Sequence, residues 1–306
     1  MKPIDSVTTH PKSFTDKLVH ATSRGIACAL LSTALFVVVG VLVRLVGERI
    51  DLFQVLLARQ VVFIACLAPA MWVSWQVLLR PQAAGLHALR ILGAFLALYL
   101  GFVTLQHMPL ADAVALGFSQ LLFVGVLAKL VLAEPINGGR VLTLVAGFIG
   151  VLLVVQPSFA GAQARYVALG LVAAFGAALA VICVRVLVQR QAKIVLLSYQ
   201  AIFVALIALG PSLYRWCWPN FDEAVLLLAI GVLSSLAQWL GVSAYKLAQA
   251  NVVANLEYAK MLYSVLLGYY LFAEVPNTLA LVGASLILIS PLMALVWRVL
   301  SKSGQA

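Results

Sequence analysis

Charge is scarce in this chain. Of 306 residues only 10% are Asp, Glu, Lys or Arg, against 64% hydrophobic, and the mean hydropathy is +1.09. That balance excludes a soluble globule and makes lipid the main solvent. A polar stretch long enough for a soluble domain is also missing, because ten helices of about 20 residues with short connections use nearly the whole length. The four cysteines, Cys28, Cys66, Cys183 and Cys217, form no CxxC or metal-ligand pattern. Three of them lie in apolar runs, where cysteine packs as a small hydrophobe. The four histidines, His10, His20, His87 and His107, read as tail or loop residues, and no HExxH or GxSxG interrupts an apolar run. A membrane-embedded hydrolase would therefore have no catalytic groups. No GxxxxGK[ST] loop is present to bind ATP, and no cofactor is implied.

What is present is a series of apolar stretches at 25–46, 52–75, 89–106, 110–132, 141–156, 167–184, 194–213, 224–245, 252–273 and 279–299. Short connections rich in Pro, Gly, Asn and Asp separate them, and "WCWPNFDE" at Trp216 adds interfacial tryptophans. The first stretch is longer than a signal-peptide core and lacks a small-x-small exit, so the expectation is that it is kept as a membrane span after a polar tail over 1–24.

The formal charge of +10 raises the question of nucleic acid, but the 20 Lys and Arg residues are spread singly over loops with no basic face. Placing the N-terminus in the cytoplasm sorts them. Fourteen then lie in or beside inner segments, three in outer loops (Arg49, Arg165, Arg215) and three within spans (Arg44, Arg59, Lys260). The positive-inside rule accounts for that asymmetry and predicts an inner-membrane protein with both termini cytoplasmic and no nucleic-acid partner.

Laid on itself at an offset of 140 residues, the sequence matches. "FQVLLARQVVF" from Phe53 meets "KIVLLSYQAIF" from Lys193, and "AFLALYLGF" from Ala94 meets "SSLAQWLGV" from Ser234. Leu122 meets Leu262, Phe123 meets Tyr263, Ala133–Glu134 meets Ala273–Glu274, and Asn137 meets Asn277. One offset aligning several spans and a loop implies a repeat. Five spans per unit, an odd number, invert the second unit in the membrane, which is the plan of secondary transporters with a site at the midplane between repeats. The expected fold is thus all-α: ten transmembrane helices in two inverted five-helix repeats, 25–156 and 166–299, with a C-terminal tail at 300–306.

Several residues carry a resemblance. They are Arg59, "MPLADAVALGF" from Met108, Glu134 and "GFIGVLLVVQP" from Gly147 in the first half. In the second they are "VRVL" at Val184, "AYKLAQANVVANLEYAKMLYSVLLGYYLFAEVPN" from Ala244 and "LVGASLILIS" from Leu281. In these the chain resembles the drug/metabolite transporter superfamily, EamA type, along nearly all its length after residue 25. Leu121 and Met261 stand where that family often has proline, a departure that bears on the subgroup. The resemblance implies a ten-helix carrier with alternating access and a central cavity lined mainly by helices other than the fifth and tenth. The stretch from Leu256 looks most like the branch that takes up S-adenosylmethionine; related branches move riboflavin, amino acids and amino-acid-derived metallophores.

A charged side chain near mid-membrane costs about 2.5–3.5 kcal/mol on insertion scales, so each one needs a partner or a wet cavity. Arg59 lies roughly 10–12 Å below the outer surface at 1.5 Å per residue; it is either an anion-binding cation or part of a structural ion pair. Glu257 and Lys260, three apart, share a helical face and neutralise each other, as a substrate-lining pair or a structural one. The repeat mates of Lys260, Tyr258 and Tyr263 are Gln120, Phe118 and Phe123, so the fourth and ninth spans bring polar and aromatic groups together. Tyr99 and Trp239 are mates that either stack on a flat or cationic ligand or pack between helices. Gln60 and Gln200 bind substrate or bond across helices. With Tyr199, the mate of Arg59, the candidate substrate-binding set is Arg59, Gln60, Tyr99, Gln120, Tyr199, Trp239, Glu257, Tyr258, Lys260 and Tyr263. Glu134 and Glu274 read as structural helix ends, and Arg44 as a side chain snorkelling to headgroups. Gly147 and Gly150 permit close helix approach, for internal packing or a homodimer. The excess of cavity cations favours a small, carboxylated, amino-acid-derived substrate, such as an opine-type metallophore leaving the cell, with uptake of S-adenosylmethionine or riboflavin as the alternative.

Overall fold

The computed structural model describes residues 12–47, 49–79, 82–132, 138–156, 162–187, 190–247 and 256–303. Glu134 and Asn137, two of the repeat-matched positions, lie outside them. The described chain is helical: α1 (Lys12–Val46), α2 (Leu52–Val73), a single turn α3 (Trp75–Leu78), α4 (Ala84–His107), α5 (Leu110–Leu132), α6 (Gly138–Val155), α7 (Ala162–Leu187), α8 (Lys193–Tyr214), α9 (Phe221–Leu247), α10 (Ala259–Phe272) and α11 (Thr278–Ser303). Among the described residues every apolar stretch of the sequence carries a helix. Seven helices are long and apolar enough to cross a membrane, and Leu142–Val155, Ala259–Phe272 and Thr278–Ser290 are shorter apolar helices. The surface agrees with a lipid solvent: large apolar side chains such as Val61, Leu130, Leu206, Leu228 and Leu279 point outward, whereas Arg59, Gln60, Arg90 and Gln200 are buried. This is a multi-pass membrane protein.

Two sequence boundaries move. Helix α1 begins well inside the expected tail, since Lys12–Arg24 contains no proline or glycine to stop it. In the ninth stretch, expected from residue 252, residues 252–255 lie outside the described ones, and a turn interrupts it before the helix that begins at Ala259. Glu257 and Tyr258 form a turn closed by Lys260 N to Glu257 O and Met261 N to Tyr258 O, both 3.0 Å.

Loop contacts sort into two ends of the bundle. At the distal end, where α1 finishes, Arg49 pairs with Glu223, Gln54 Nε2 donates to Cys217 O (2.8 Å), and Gln156 and Asn277 exchange two side-chain bonds (2.8 and 3.0 Å). The bond to Glu223 holds the Arg49 guanidinium still more firmly protonated than usual. At the proximal end His87 Nε2 meets Gln191 Oε1 at 2.8 Å, and the Tyr199 hydroxyl donates to Leu78 O. Caps fix some of these ends: Asp51 accepts from Phe53 N at 2.8 Å to start α2 and stands 3.5 Å from Arg215.

Five helix pairs dominate the packing: α4 with α7, α1 with α9, α6 with α11, α2 with α8, and α5 with α7. Two of these cross at glycines. A Cβ on Gly93 of α4 would sit 2.6 Å from Gly176 O of α7, and one on Gly283 of α11 would sit 2.6 Å from Gly150 O of α6. Gly150 is thus used inside the chain, which removes the basis for reading it as a dimer contact. The α1–α9 crossing is closed instead by Ser32 Oγ donating to Ala237 O (2.8 Å).

Candidate functional site

Two groups of polar and aromatic side chains lie within the bundle. In the first, α10 meets α5. The rings of Phe118 and Tyr258 stack at 5.2 Å and 8°, which is the pairing of repeat mates that the 140-residue offset implies. Lys260 Nζ lies 3.3 Å from Glu257 Oε2 and 5.8 Å from the Phe36 ring centroid on α1. Lys260 is twelve residues before Phe272, about 18 Å from the distal end of α10 at 1.5 Å per residue, hence near mid-depth. Tyr263 packs against Val37 and Val41 of α1 and Leu110 of α5, and Gln120 is half-buried on α5. This seam holds Glu257, Tyr258, Lys260 and Tyr263, with Gln120 two residues from Phe118 on α5.

In the second, Arg59 of α2 is 2% exposed, and its Nη1 donates to Gln60 Oε1 at 2.8 Å. No carboxylate pairs with Arg59 among the described residues, and Gln60 Nε2 is fully buried without a hydrogen-bond partner among them. An unmet buried donor costs about 1–3 kcal/mol, and an unpaired charge more. The dyad thus keeps donor capacity that the described residues do not meet. One turn back along α2, the apolar cluster of Val55, Leu56 and Phe102 supports Tyr99, whose ring stacks on Phe53 (4.2 Å) and lies parallel to Phe95 (5.8 Å).

Two candidates stand apart. The Tyr199 ring meets His87 edge-on at 4.9 Å and its hydroxyl is spent on Leu78 O, so it closes the proximal end. Trp239 is 60% exposed, on the same outer stripe of α9 as Leu228, Val232 and Leu236. Its repeat mate Tyr99 is packed inside, so symmetry of sequence does not carry over to symmetry of environment.

The chain matches the EamA-like transporter family twice, over residues 23–156 and 164–296. It belongs to that family. Among similar family proteins, an S-adenosylmethionine uptake transporter of Rickettsia prowazekii is 26% identical over 264 residues, 86% of this chain and 90% of that protein. A riboflavin transporter of Vibrio cholerae is 29% identical over 72% of this chain and 74% of its own length. The pseudopaline exporter CntI of Pseudomonas aeruginosa is 28% identical over 87% of this chain and 94% of its own. A crystal structure sharing 17% identity superposes with a TM-score of 0.69 over 92% of this chain and 99% of that one, a likeness of fold. As an EamA-family protein the chain is a membrane transporter and not an enzyme.

Three features of this transporter escape a reading by residue type. Arg90, which the positive-inside count assigns to the inner surface, is 3% exposed inside α4 and donates to Leu196 O (2.5 Å) and Gln200 Oε1 (2.8 Å) of α8. His87, read as a loop residue, is buried in the first turn of α4. Arg44, read as snorkelling, pairs with Glu274 and lies 4.2 Å from the Phe272 ring.

Glu274 also accepts from Leu110 N, the first amide of α5, at 2.9 Å, so one carboxylate joins the ends of α1, α5 and α10. Beside this clasp a cavity of about 420 Å³ opens between α5, α6, α10 and α11, lined by Asp112, Gln156, Ser264, Glu274 and Asn277. A Cβ on Gly268 would come 2.7 Å from Glu274 Oε2, so glycine there makes room for the clasp. We expect Glu274→Ala to loosen the distal end by about 1–3 kcal/mol, the worth of a partly buried ion pair and helix cap together. A cysteine placed at Ser264 should then react several-fold faster with a membrane-impermeant maleimide. Unchanged labelling would mean that the clasp does not control access.

Proposed function

We propose that this chain is a secondary carrier that moves a small, carboxylated, amino-acid-derived metabolite across the inner membrane by alternating access, with an opine-type metallophore as the model substrate and export as the direction. The observation that carries the reading is the Arg59–Gln60 dyad: a buried guanidinium with no carboxylate partner among the described residues, next to a buried amide that lacks an acceptor. A substrate carboxylate supplies what both groups need, and an arginine fork suits its geometry. The Lys260–Glu257 pair and the Phe118–Tyr258 stack provide a second polar and aromatic surface.

The architecture invoked is two inverted five-helix repeats, α1, α2 and α4–α6 against α7–α11, with both termini cytoplasmic. Its support is the double family match, the 140-residue offset and the pairing of helices. The α4–α7 contact is mirrored by α9–α1, and α2–α8, α5–α10 and α6–α11 are each contacts between mates. Export rests on the likeness to the pseudopaline exporter, which extends over 94% of that protein. A second reading, uptake of S-adenosylmethionine, is favoured by the distal cavity, whose described lining carries the Asp112 carboxyl and no lysine or arginine, and by the likeness to the Rickettsia uptake transporter.

The test is counterflow in proteoliposomes with a labelled panel of an opine-type metallophore, S-adenosylmethionine, riboflavin and several amino acids, with Lys260→Ala alongside. Saturable exchange of a carboxylated compound, reduced about tenfold or more in Lys260→Ala, is the expected result, equivalent to roughly 1.4 kcal/mol. Exchange that survives the mutation makes Lys260–Glu257 a structural pair, and no exchange of any compound by folded protein overturns the carrier reading.

A further inference from the structure

The offset that reveals the repeat makes Gln60 and Gln200 mates, and in the folded chain each glutamine oxygen accepts from an arginine at 2.8 Å. The arginines themselves are not mates: Arg59 corresponds to Tyr199, and Arg90 to Ile230. The two dyads have thus been completed separately on a shared glutamine frame. Gln60 lies eight residues after the distal start of α2 and Gln200 seven residues after the proximal start of α8. At 1.5 Å per residue these are depths of about 12 and 10.5 Å from opposite ends.

The environments also correspond. Arg59 and Arg90 are 2% and 3% exposed, neither is paired with a carboxylate among the described residues, and each dyad keeps one buried donor without an acceptor, Gln60 Nε2 in one and Arg90 Nε in the other. A purely structural clamp of α4 onto α8 explains the bond from Arg90 to Leu196 O. It explains neither a full charge held there without a counter-ion among the described residues nor the unmet Nε, since an uncharged donor would tie the helices at smaller desolvation cost.

We infer that Arg90 and Gln200 form a second carboxylate station, opening toward the proximal membrane face as Arg59 and Gln60 open toward the distal one, so that the same substrate group is held by one dyad in each access state. The inference rests on the carrier reading above and adds a binding site to it.

The experiment measures zero-trans uptake of a labelled opine bearing free carboxylates, from each side of proteoliposomes of sorted orientation, with thermal unfolding of every variant measured in parallel. Arg90→Gln is expected to raise KM for the proximal side about tenfold with the change confined to that side, and Arg59→Gln to do so for the distal side. Arg90→Lys, which keeps the charge and the reach to Leu196 O, guards against a variant that does not fold. It should give a smaller rise of the same sidedness, about threefold, through loss of the fork. Equal changes of KM on both sides, or none, in folded Arg90 variants overturn the second station while leaving the carrier intact. Failure of the wild type to move the opine at all overturns both.

Discussion

Replacing Arg59 by glutamine should lower kcat/KM for a carboxylated substrate by about 10- to 150-fold, the range expected for losing one charge-assisted hydrogen bond of roughly 1.5–3 kcal/mol. The side chain is almost entirely buried, and its hydrogen bond among the described residues is to the neighbouring Gln60. Glutamine keeps polarity and some reach but neither the charge nor the two-pronged donor face, whereas Arg59→Lys keeps the charge alone and should fall between. The comparison that decides is with a methyl ester of the same substrate. Its transport should change less than about threefold in Arg59→Gln, because the lost interaction was with the carboxylate. Stability offers an independent check. Removing one member of a buried ion pair strands the other, but no carboxylate partners Arg59 among the described residues, so Arg59→Gln should melt at or above the wild-type temperature. A lowered melting temperature with equal losses for acid and ester would make Arg59 a structural residue.

How far the sequence alone leads depends on whether a property belongs to a segment or to a contact. Run length and hydropathy belong to segments, and each apolar stretch of the sequence has helix over most of its described residues. Repeat symmetry survives where mates meet each other, as in the stack of Phe118 on Tyr258. It fails where they meet different surroundings: Tyr99 rests on Phe53 and Phe95, while Trp239 points outward because the α9 stripe it belongs to faces away from α1 and α2. Charge near a helix end is the hardest to place. Arg90 and Arg44 both sit where snorkelling is cheap, and only the facing partners, a carbonyl and a glutamine on α8 for one and the Glu274 carboxylate for the other, turn them inward. Those partners are 106 to 230 residues away in sequence, and no local pattern reports them.

Gly93→Val should, with Gly283→Val, be among the most damaging single substitutions for the fold. A Cβ at Gly93 falls 2.6 Å from Gly176 O and 3.0 Å from Ala180 N, and one at Gly176 falls 2.8 Å from Gly93 O. These are backbone atoms held in helical hydrogen bonds, so they cannot rotate aside as a side chain does. Overpacking costs about 1–3 kcal/mol when neighbours are side chains, and the cost here should exceed that range because whole helices must separate. Fluorescence-detected size exclusion is expected to show loss of the monodisperse peak for Gly93→Val. Gly147→Ala, whose new Cβ would make only an ordinary 3.7 Å contact with Ser290 Oγ, should behave as wild type. A monodisperse Gly93→Val protein with an unchanged melting temperature would refute the crossing. The repeat-related crossing of α1 and α9 provides the contrast. There a Cβ on Gly241 meets Ser32 Oγ at 2.9 Å, a hydroxyl that can turn to another rotamer at the cost of its bond to Ala237 O, so Gly241→Ala should cost less than Gly93→Ala. Of these two repeat-related crossings, α4–α7 is therefore the less tolerant of added volume.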